Sequence, residues 1–263
     1  NCPAAYLFAV GDDWQAINRF AGSDVNYFID FAKYFPEDCA NIPLMTNYRS
    51  DRRIVENANK YMLKNYSPKA KKAVPFSKKS GKIYRINPDK TKFDSSDLYE
   101  DALGDARYLQ ALAQVCGGHP QQYVDAAKYL KTIFKIIKNH HRSQILLLHR
   151  RNFTSFPNVA LENFVVALQK LLLAQRIMTE AELSRQIRAM TMHKSKGLES
   201  EIVILLELNR EQVLSAHPHA TIFELFGDTL AAEKSDQHRL LYVALTRAKH
   251  RLYIISSDKK FLA

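Results

Sequence analysis

The chain reads as an α/β protein: a parallel sheet with flanking helices. Two observations predict this. Short apolar runs at residues 6–10, 83–86, 144–148, 189–192, 201–208 and 251–256 alternate with longer segments whose apolar residues recur at helical spacing. Strands that alternate with helices are joined by crossovers, which makes them parallel. In addition, residues 6–10 (YLFAV) and 144–148 (QILLL) are apolar almost throughout, the mark of buried strands.

The elements follow in order. Residues 6–10 close on Gly11-Asp12-Asp13, so this strand opens into a loop. Asp24 can cap a helix over 24–34, with Phe28, Phe31, Ala32 and Phe35 at helical spacing. Residues 36–43, between two prolines, form a connector. Ser50 caps a helix from about 51 to 65, with Ile54, Ala58, Tyr61 and Met62 on one face. Residues 60–92 hold eleven Lys or Arg against one acid, Asp89, and four Pro or Gly make much of this stretch loop around a strand at 83–86. It reads equally as a phosphate-contacting patch or a solvated loop. Helices are expected at 97–115 and 121–139, punctuated by Gly117-Gly118 and Pro120. Two more follow at 160–174 and 179–187. Strands at 189–192 and 201–208 flank a short turn, and a helix at 236–249 precedes the final strand at 251–256.

Composition narrows the function. The 263 residues allow one large or two modest domains. A net charge of +11 favours a polyanionic partner, since Lys and Arg displace counterions from phosphates. Cys2, Cys39 and Cys116 are too far apart and odd in number for a disulfide framework, which points to a reducing, cytoplasmic setting. Cys116 and His119 with His140-His141 lack the second pair that a tetrahedral metal site needs, so no metal is expected. No apolar run approaches the roughly 18 residues of a membrane span, and the start lacks the basic stretch of a signal peptide.

The sharpest signal is four motifs in fixed order: Gly11-Asp12-Asp13-Trp14-Gln15-Ala16-Ile17 with Phe20 and Gly22; Asn47-Tyr48-Arg49-Ser50; residues 191–199 (TMHKSKGLE), expected as a strand-turn-helix entry; and residues 239–248 (RLLYVALTRA) on a helix. Together they resemble motifs III, IV, V and VI of UvrD/Rep-type superfamily 1 DNA helicases, and the wording GDDWQAI and YVALTRAK resembles the helicase IV branch most. The resemblance spans nearly the whole chain. It implies a RecA-like motor domain, 2A, over residues 43–263, and the C-terminal remnant of motor domain 1A over residues 1–42. The inserted subdomain 2B would be missing or reduced to one or two helices, because fewer than about forty residues separate 152 from 191.

The resemblance also assigns roles. Phosphoryl transfer spreads negative charge over the γ-phosphate oxygens and is catalysed by positioning and cations. Arg49 and Arg247 are planar, permanently charged cations suited to this, with Arg247 resembling an arginine finger. Gln15 would sense the γ-phosphate or orient water. Tyr48 would stack on adenine, and Glu199 would accept from the ribose hydroxyls beside Gly197. Single-stranded DNA, held by stacking and phosphate contacts, would meet Phe20, Thr191, His193, Lys196 and, as a lesser expectation, Trp14. Arg239, Tyr242 and Thr246 share one helix face that could line the domain cleft. Asp12-Asp13 could alternatively imitate a metal-binding pair, although the family's magnesium carboxylates lie upstream.

Departures and absences limit this. Asn18 and Ala21, on the expected DNA contact surface, differ from the family's usual residues, as do Ser200 and Asp236-Gln237-His238. None of the eight glycines opens a G-x-x-x-x-G-K-[ST] phosphate loop, and no acidic Walker B motif is found. The chain is therefore expected to be a C-terminal part of a longer protein that uses ATP and Mg2+. Its partners would be single-stranded DNA and the N-terminal motor domain of the same protein, with no membrane. By itself it would be inactive, with no tightly bound nucleotide. The alternative is a non-catalytic nucleic-acid-binding or partner-docking module, supported by the charge and the missing phosphate loop.

Overall fold

Strand β6 (Ser200–Leu205) is buried at every position but Glu201 and apolar from Ile202 onward, because helices cover both of its faces. The computed structural model describes residues 7–35, 39–66, 71–90, 120–150, 161–206 and 230–258. In it, β6 is the middle of a five-stranded sheet with β3 (Lys82–Ile86), β7 (Ala248–Ile255), β4 (Ile145–His149) and β5 (Ile187–Thr191), in the order β3-β7-β6-β4-β5. Every pairing is parallel. A separate parallel pair joins β1 (Thr46–Asp51) to β2 (Val74–Ser77).

Alternation along the strands divides the core in two. Ile145, Leu147, Ile202, Ile204, Tyr253 and Ile255 face helices α4 (Pro120–Asn139) and α5 (Leu161–Ala174). Leu146, Leu148, Val203, Leu205, Leu252 and Ile254 face α3 (Arg52–Asn65) and α7 (Leu230–Leu245). The result is the predicted α/β arrangement, with helices on both sides of a parallel sheet. Between β4 and β5 the described residues form α5 and the short α6 (Glu180–Gln186), which Thr179 and Glu182 begin with a reciprocal capping box.

Several expectations need correction. Residues 7–10 are not a buried strand: Leu7, Phe8 and Val10 are exposed, and no described strand lies beside them to take their backbone hydrogen bonds. The helix over 24–34 is two single turns, α1 (Asn26–Ile29) and α2 (Phe31–Tyr34), broken at Asp30. Neither turn buries a residue, and the aromatics pack on one another instead, Phe31 on Phe35 at 4.6 Å. Asp51, not Ser50, stands at the start of α3, without a capping bond. Ser50 lies within β1, one residue before its end, and donates from Oγ to the Ala248 carbonyl at 2.7 Å. Residues 192–197 are consecutive turns with no helix. Helix α7 begins and ends earlier than expected, so Thr246 and Arg247 lie in a turn and β7 starts at Ala248. Strand β2, with its proline, was not anticipated. The helix expected at 97–115 lies outside the described residues.

Candidate functional site

Two turns at the N-terminal ends of β6 and β7 build the site. This departs from the usual placement of ligands at the carboxyl ends of parallel strands. Glu199 immediately precedes β6, Arg247 immediately precedes β7, and the Ser200 N–H donating to the Arg247 carbonyl at 3.0 Å ties the turns together. Strand β1 lies alongside. The Asn47 side-chain carbonyl accepts from the backbone N–H groups of Arg49 (3.1 Å) and Ser50 (3.0 Å). These internal bonds accompany an irregular register against β2 and turn Arg49 towards Glu199. Below, Asp51 accepts from Ser77 Oγ at 2.8 Å and pairs with His250 at 3.1 Å. Gly81 has φ +70°, and a Cβ there would stand 2.7 Å from the Asp51 Cβ, so only glycine fits.

Thr46, Asn47, Tyr48, Arg49, Glu199 and Lys249 line an open cleft of about 570 Å³. Glu199 is its ionic centre. One carboxylate oxygen meets Arg49 Nε at 2.9 Å and the other meets Lys249 Nζ at 2.6 Å. Hydrogen bonds from Lys249 and then Arg49 hold its carboxyl below the usual glutamate range. Tyr48 is 71% exposed, with one side of its ring against Phe76 at 4.8 Å.

Arg247 lies beneath, fully buried. It donates from Nε to the Val243 carbonyl (2.8 Å), from Nη1 to the Leu198 carbonyl (3.1 Å), and from Nη2 to Thr246 Oγ1 (3.2 Å) and Gln15 Oε1 (3.3 Å). Burial first, then the nearby Arg49 charge, lowers its pKa to about 10, which leaves it charged at neutral pH. Asp12 N-caps the single turn of residues 13–15 and accepts from Gln15 Nε2 at 2.5 Å. Arg49, Glu199, Arg247 and Gln15 are thus brought into one neighbourhood.

The expected DNA residues divide. Lys196 is exposed, as is the neighbouring Gly197 that was expected beside the ribose; Gly197 has φ +84° with open space where a Cβ would stand, so the turn presents bare backbone. His193 is half-buried, and burial, then Arg150, lowers its pKa to about 4, so the ring is neutral at pH 7. Thr191 is buried, and its Oγ1 accepts from the Lys194 N–H at 3.4 Å. The side chain of Phe20 lies outside the described residues. Trp14 is corrected. It is 1% exposed, set edge-on to Tyr242 at 5.2 Å among Ala58 and Met62, so no base can reach its face. Arg239, Tyr242 and Thr246 are likewise buried rather than lining an open surface, and Arg239 pairs with Asp236 and lies over the Tyr66 ring at 5.3 Å. Asp12 and Asp13 do not imitate a metal pair, because Lys71 Nζ bonds both, at 2.5 Å to Asp12. Among the described residues no group of three or more His, Cys, Asp or Glu could hold a metal.

Sequence reasoning missed two cations. Lys249 was part of the YVALTRAK wording but had no assigned role. Lys71 was hidden in the basic stretch 60–92, where spacing distinguishes no lysine from its neighbours.

A parallel α/β domain whose motif residues gather at one end of the sheet defines a class, and comparison confirms it. The profile of the UvrD-like helicase C-terminal domain family matches residues 102–259, more than half of the chain, and the chain belongs to that family. It is similar to DNA helicase IV of Escherichia coli K12, with 29% identity over 95% of this chain and 29% of that protein. It also resembles ATP-dependent DNA helicase PcrA of Staphylococcus aureus MRSA252, with 35% identity over 32% of this chain and 10% of that protein. Among solved structures, the C-terminal domain of a possible DNA helicase from Lactobacillus plantarum WCFS1 matches 82% of this chain and 92% of its own, at 16% identity and a TM-score of 0.36. The chain therefore spans under a third of the length of these curated relatives. Among the described residues no helix is long and apolar enough to cross a membrane.

Proposed function

We propose that this chain is the C-terminal part of an ATP-dependent 3′–5′ DNA helicase or single-stranded DNA translocase, supplying half of the ATP cleft and part of the DNA path. Residues 1–42 are read as the end of motor domain 1A and residues 43–263 as domain 2A. The observation that carries the reading is the convergence of Arg49, Glu199, Arg247 and Gln15 beside an open cleft. The supporting names of the relatives, helicase IV and ATP-dependent helicase PcrA, describe proteins more than three times as long as the matched regions.

The residues fit a nucleotide. Tyr48 offers an exposed ring to a base, Glu199 an acceptor to ribose hydroxyls, and Arg49 and Lys249 two cations to phosphate oxygens. Bound ATP would supply the phosphoryl group, whose transfer develops negative charge that cations stabilise. Arg49 and Lys249 neutralise Glu199 and keep the cleft from carrying a bare carboxylate beside the phosphates. Arg247 is held rigid by two backbone carbonyls, so little ordering is needed for its remaining N–H groups to act. Magnesium does not fit here, since Lys71 occupies both candidate carboxylates. Its ligands, like the phosphate loop, are assigned to the N-terminal motor domain. Single-stranded DNA is assigned to the exposed Lys196, with Thr191, His193 and Phe20 as further expected contacts, while Gly197 is assigned with Glu199 to the nucleotide.

The test is DNA-stimulated ATP hydrolysis by the longer protein that carries this chain. Arg247→Ala should lower kcat on the order of 10³-fold; an unchanged rate sinks the cleft assignment. The 263-residue chain alone should hydrolyse no ATP and bind single-stranded DNA weakly, with affinity falling steeply as salt rises. Binding indifferent to salt would remove the phosphate-contact reading.

A further inference from the structure

Gln15 is held by two partners of opposite character. Its Oε1 accepts from Arg247 Nη2 at 3.3 Å, and its Nε2 donates to Asp12 Oδ2 at 2.5 Å. A guanidinium can only donate and an ionised carboxylate can only accept, so the amide has one orientation that satisfies both. That orientation lasts only while the Asp12 carboxylate is held in place. Asp12 Oδ1 accepts from Lys71 Nζ at 2.5 Å and from the Trp14 backbone N–H at 3.1 Å. Lys71 is itself well placed. The buried Asn59 on α3 makes two bonds to Ala73, its Nδ2 donating to the carbonyl at 2.8 Å and its Oδ1 accepting the N–H at 3.1 Å, which pins the chain two residues beyond Lys71. The ammonium lies 5.0 Å over the Trp14 ring and also bonds Asp13.

We propose that Lys71 is a positioning residue of the ATP cleft: acting through Asp12, it orients the Gln15 amide so that its oxygen faces Arg247. This rests on the cleft assignment above. It identifies the link by which the basic segment before β2 reaches the cleft arginine. Asp12 is part of the link and Asp13 is not, because Asp13 bonds Lys71 but no described bond joins it to Gln15. The two acids thus separate positioning from simple anchoring. An anchoring lysine would suffer equally from the loss of either acid.

The experiment measures DNA-stimulated ATPase of the longer protein in Lys71→Met, Lys71→Arg, Asp12→Asn, Asp13→Asn and Gln15→Ala. Misplacing a group that contacts the reacting centre costs about ten- to hundredfold. Lys71→Met and Asp12→Asn should lose that much in kcat with little change in KM for ATP, and Lys71→Arg should restore most of it. Asp13→Asn should lose less than Asp12→Asn. Lys71→Met added to Gln15→Ala should cost nothing further, since both act through one amide. Trp14 is the only tryptophan of the chain, so its emission in the 263-residue chain reports whether each variant keeps segment 12–17 seated. Equal losses in the two Asn variants, or additive losses in the double variant, overturn the proposal while leaving the cleft intact. If Gln15→Ala and Arg247→Ala leave hydrolysis unchanged, the cleft assignment itself has failed and this inference falls with it.

Discussion

Arg49 and Arg247 both bond Thr246, yet they lie in different surroundings. Arg49 reaches its carbonyl at 3.5 Å and Arg247 its hydroxyl at 3.2 Å. Around Arg49 is an open triad, with side chains of Arg49, Lys249 and Glu199 30%, 34% and 43% exposed. Around Arg247, itself fully buried, is a closed node of Trp14 and Tyr242, with the half-buried Gln15 and Asp12 at its edge. Ion pairs in water are weak and exchange readily. Buried hydrogen bonds cost little to keep and much to break. The open triad can therefore trade partners with a ligand, while the closed node keeps the segment of residues 12–17 seated on α3 and α7.

The first way to break this contrast is Trp14→Ala. The indole fills the space among Ala58, Met62 and Tyr242, and removing it should cost about 3–5 kcal/mol. Urea melts of the 263-residue chain would measure it. A loss near zero would mean that the segment is not docked. Arg247→Met comes next. It keeps bulk but strands the Leu198 carbonyl, while the Val243 carbonyl still accepts from Thr246 Oγ1, at about 1–3 kcal/mol. Arg49→Met should change stability far less, and equal effects at the two arginines would erase the distinction.

The two regions were not equally legible in the sequence. Strands β4, β6 and β7 were readable because residues such as Leu146–Leu148 and Ile202–Leu205 are apolar on both faces, which water alone forbids outside a core. Arg49, Glu199, Gln15 and Arg247 were readable from motif order, and the structure brings them together. What failed depended on neighbours. Residues 7–10 have strand-forming side chains but no described strand beside them. Trp14 carries the same letter whether it stacks on a base or fills a core. Lys71 is one lysine in a run, and only its place two residues before Ala73, which Asn59 pins, aims it at Asp12.

A pH series sharpens the contrast from the other side of the turn. His193 has its pKa lowered to about 4 by burial and then Arg150, against 6.5 for the free side chain. Below pH 6.5 the unfolded chain takes up a proton that the folded chain refuses, so stability falls as pH drops from about 6.5 towards 4 and is level above that window. His140, lowered by burial and by Arg251 and Lys82, acts in the same direction. Discounted for its partial exposure, the His193 contribution between pH 7 and 5 is on the order of 1 kcal/mol. His193→Gln should flatten the melting profile over that window. An unaltered slope would show the ring to be solvated.

The smallest effect is expected where the ion pairs look most conspicuous. Glu199→Gln removes both contacts of the triad, yet its exposure limits the stability loss to about 0.5–1 kcal/mol, and moderate salt should erase even that. The carboxyl is held low by Lys249 and Arg49, so its contribution is present above the ordinary glutamate range and fades only as pH falls through its lowered value; between pH 6 and 8 melts should not move. Binding should change more than stability does. With Glu199 neutral, Arg49 and Lys249 are released, and inorganic triphosphate should bind more tightly while losing none of its salt dependence. A destabilisation as large as that of Arg247→Met, with no gain in triphosphate binding, would mean that the triad is a structural clamp and the cleft is not free to exchange partners.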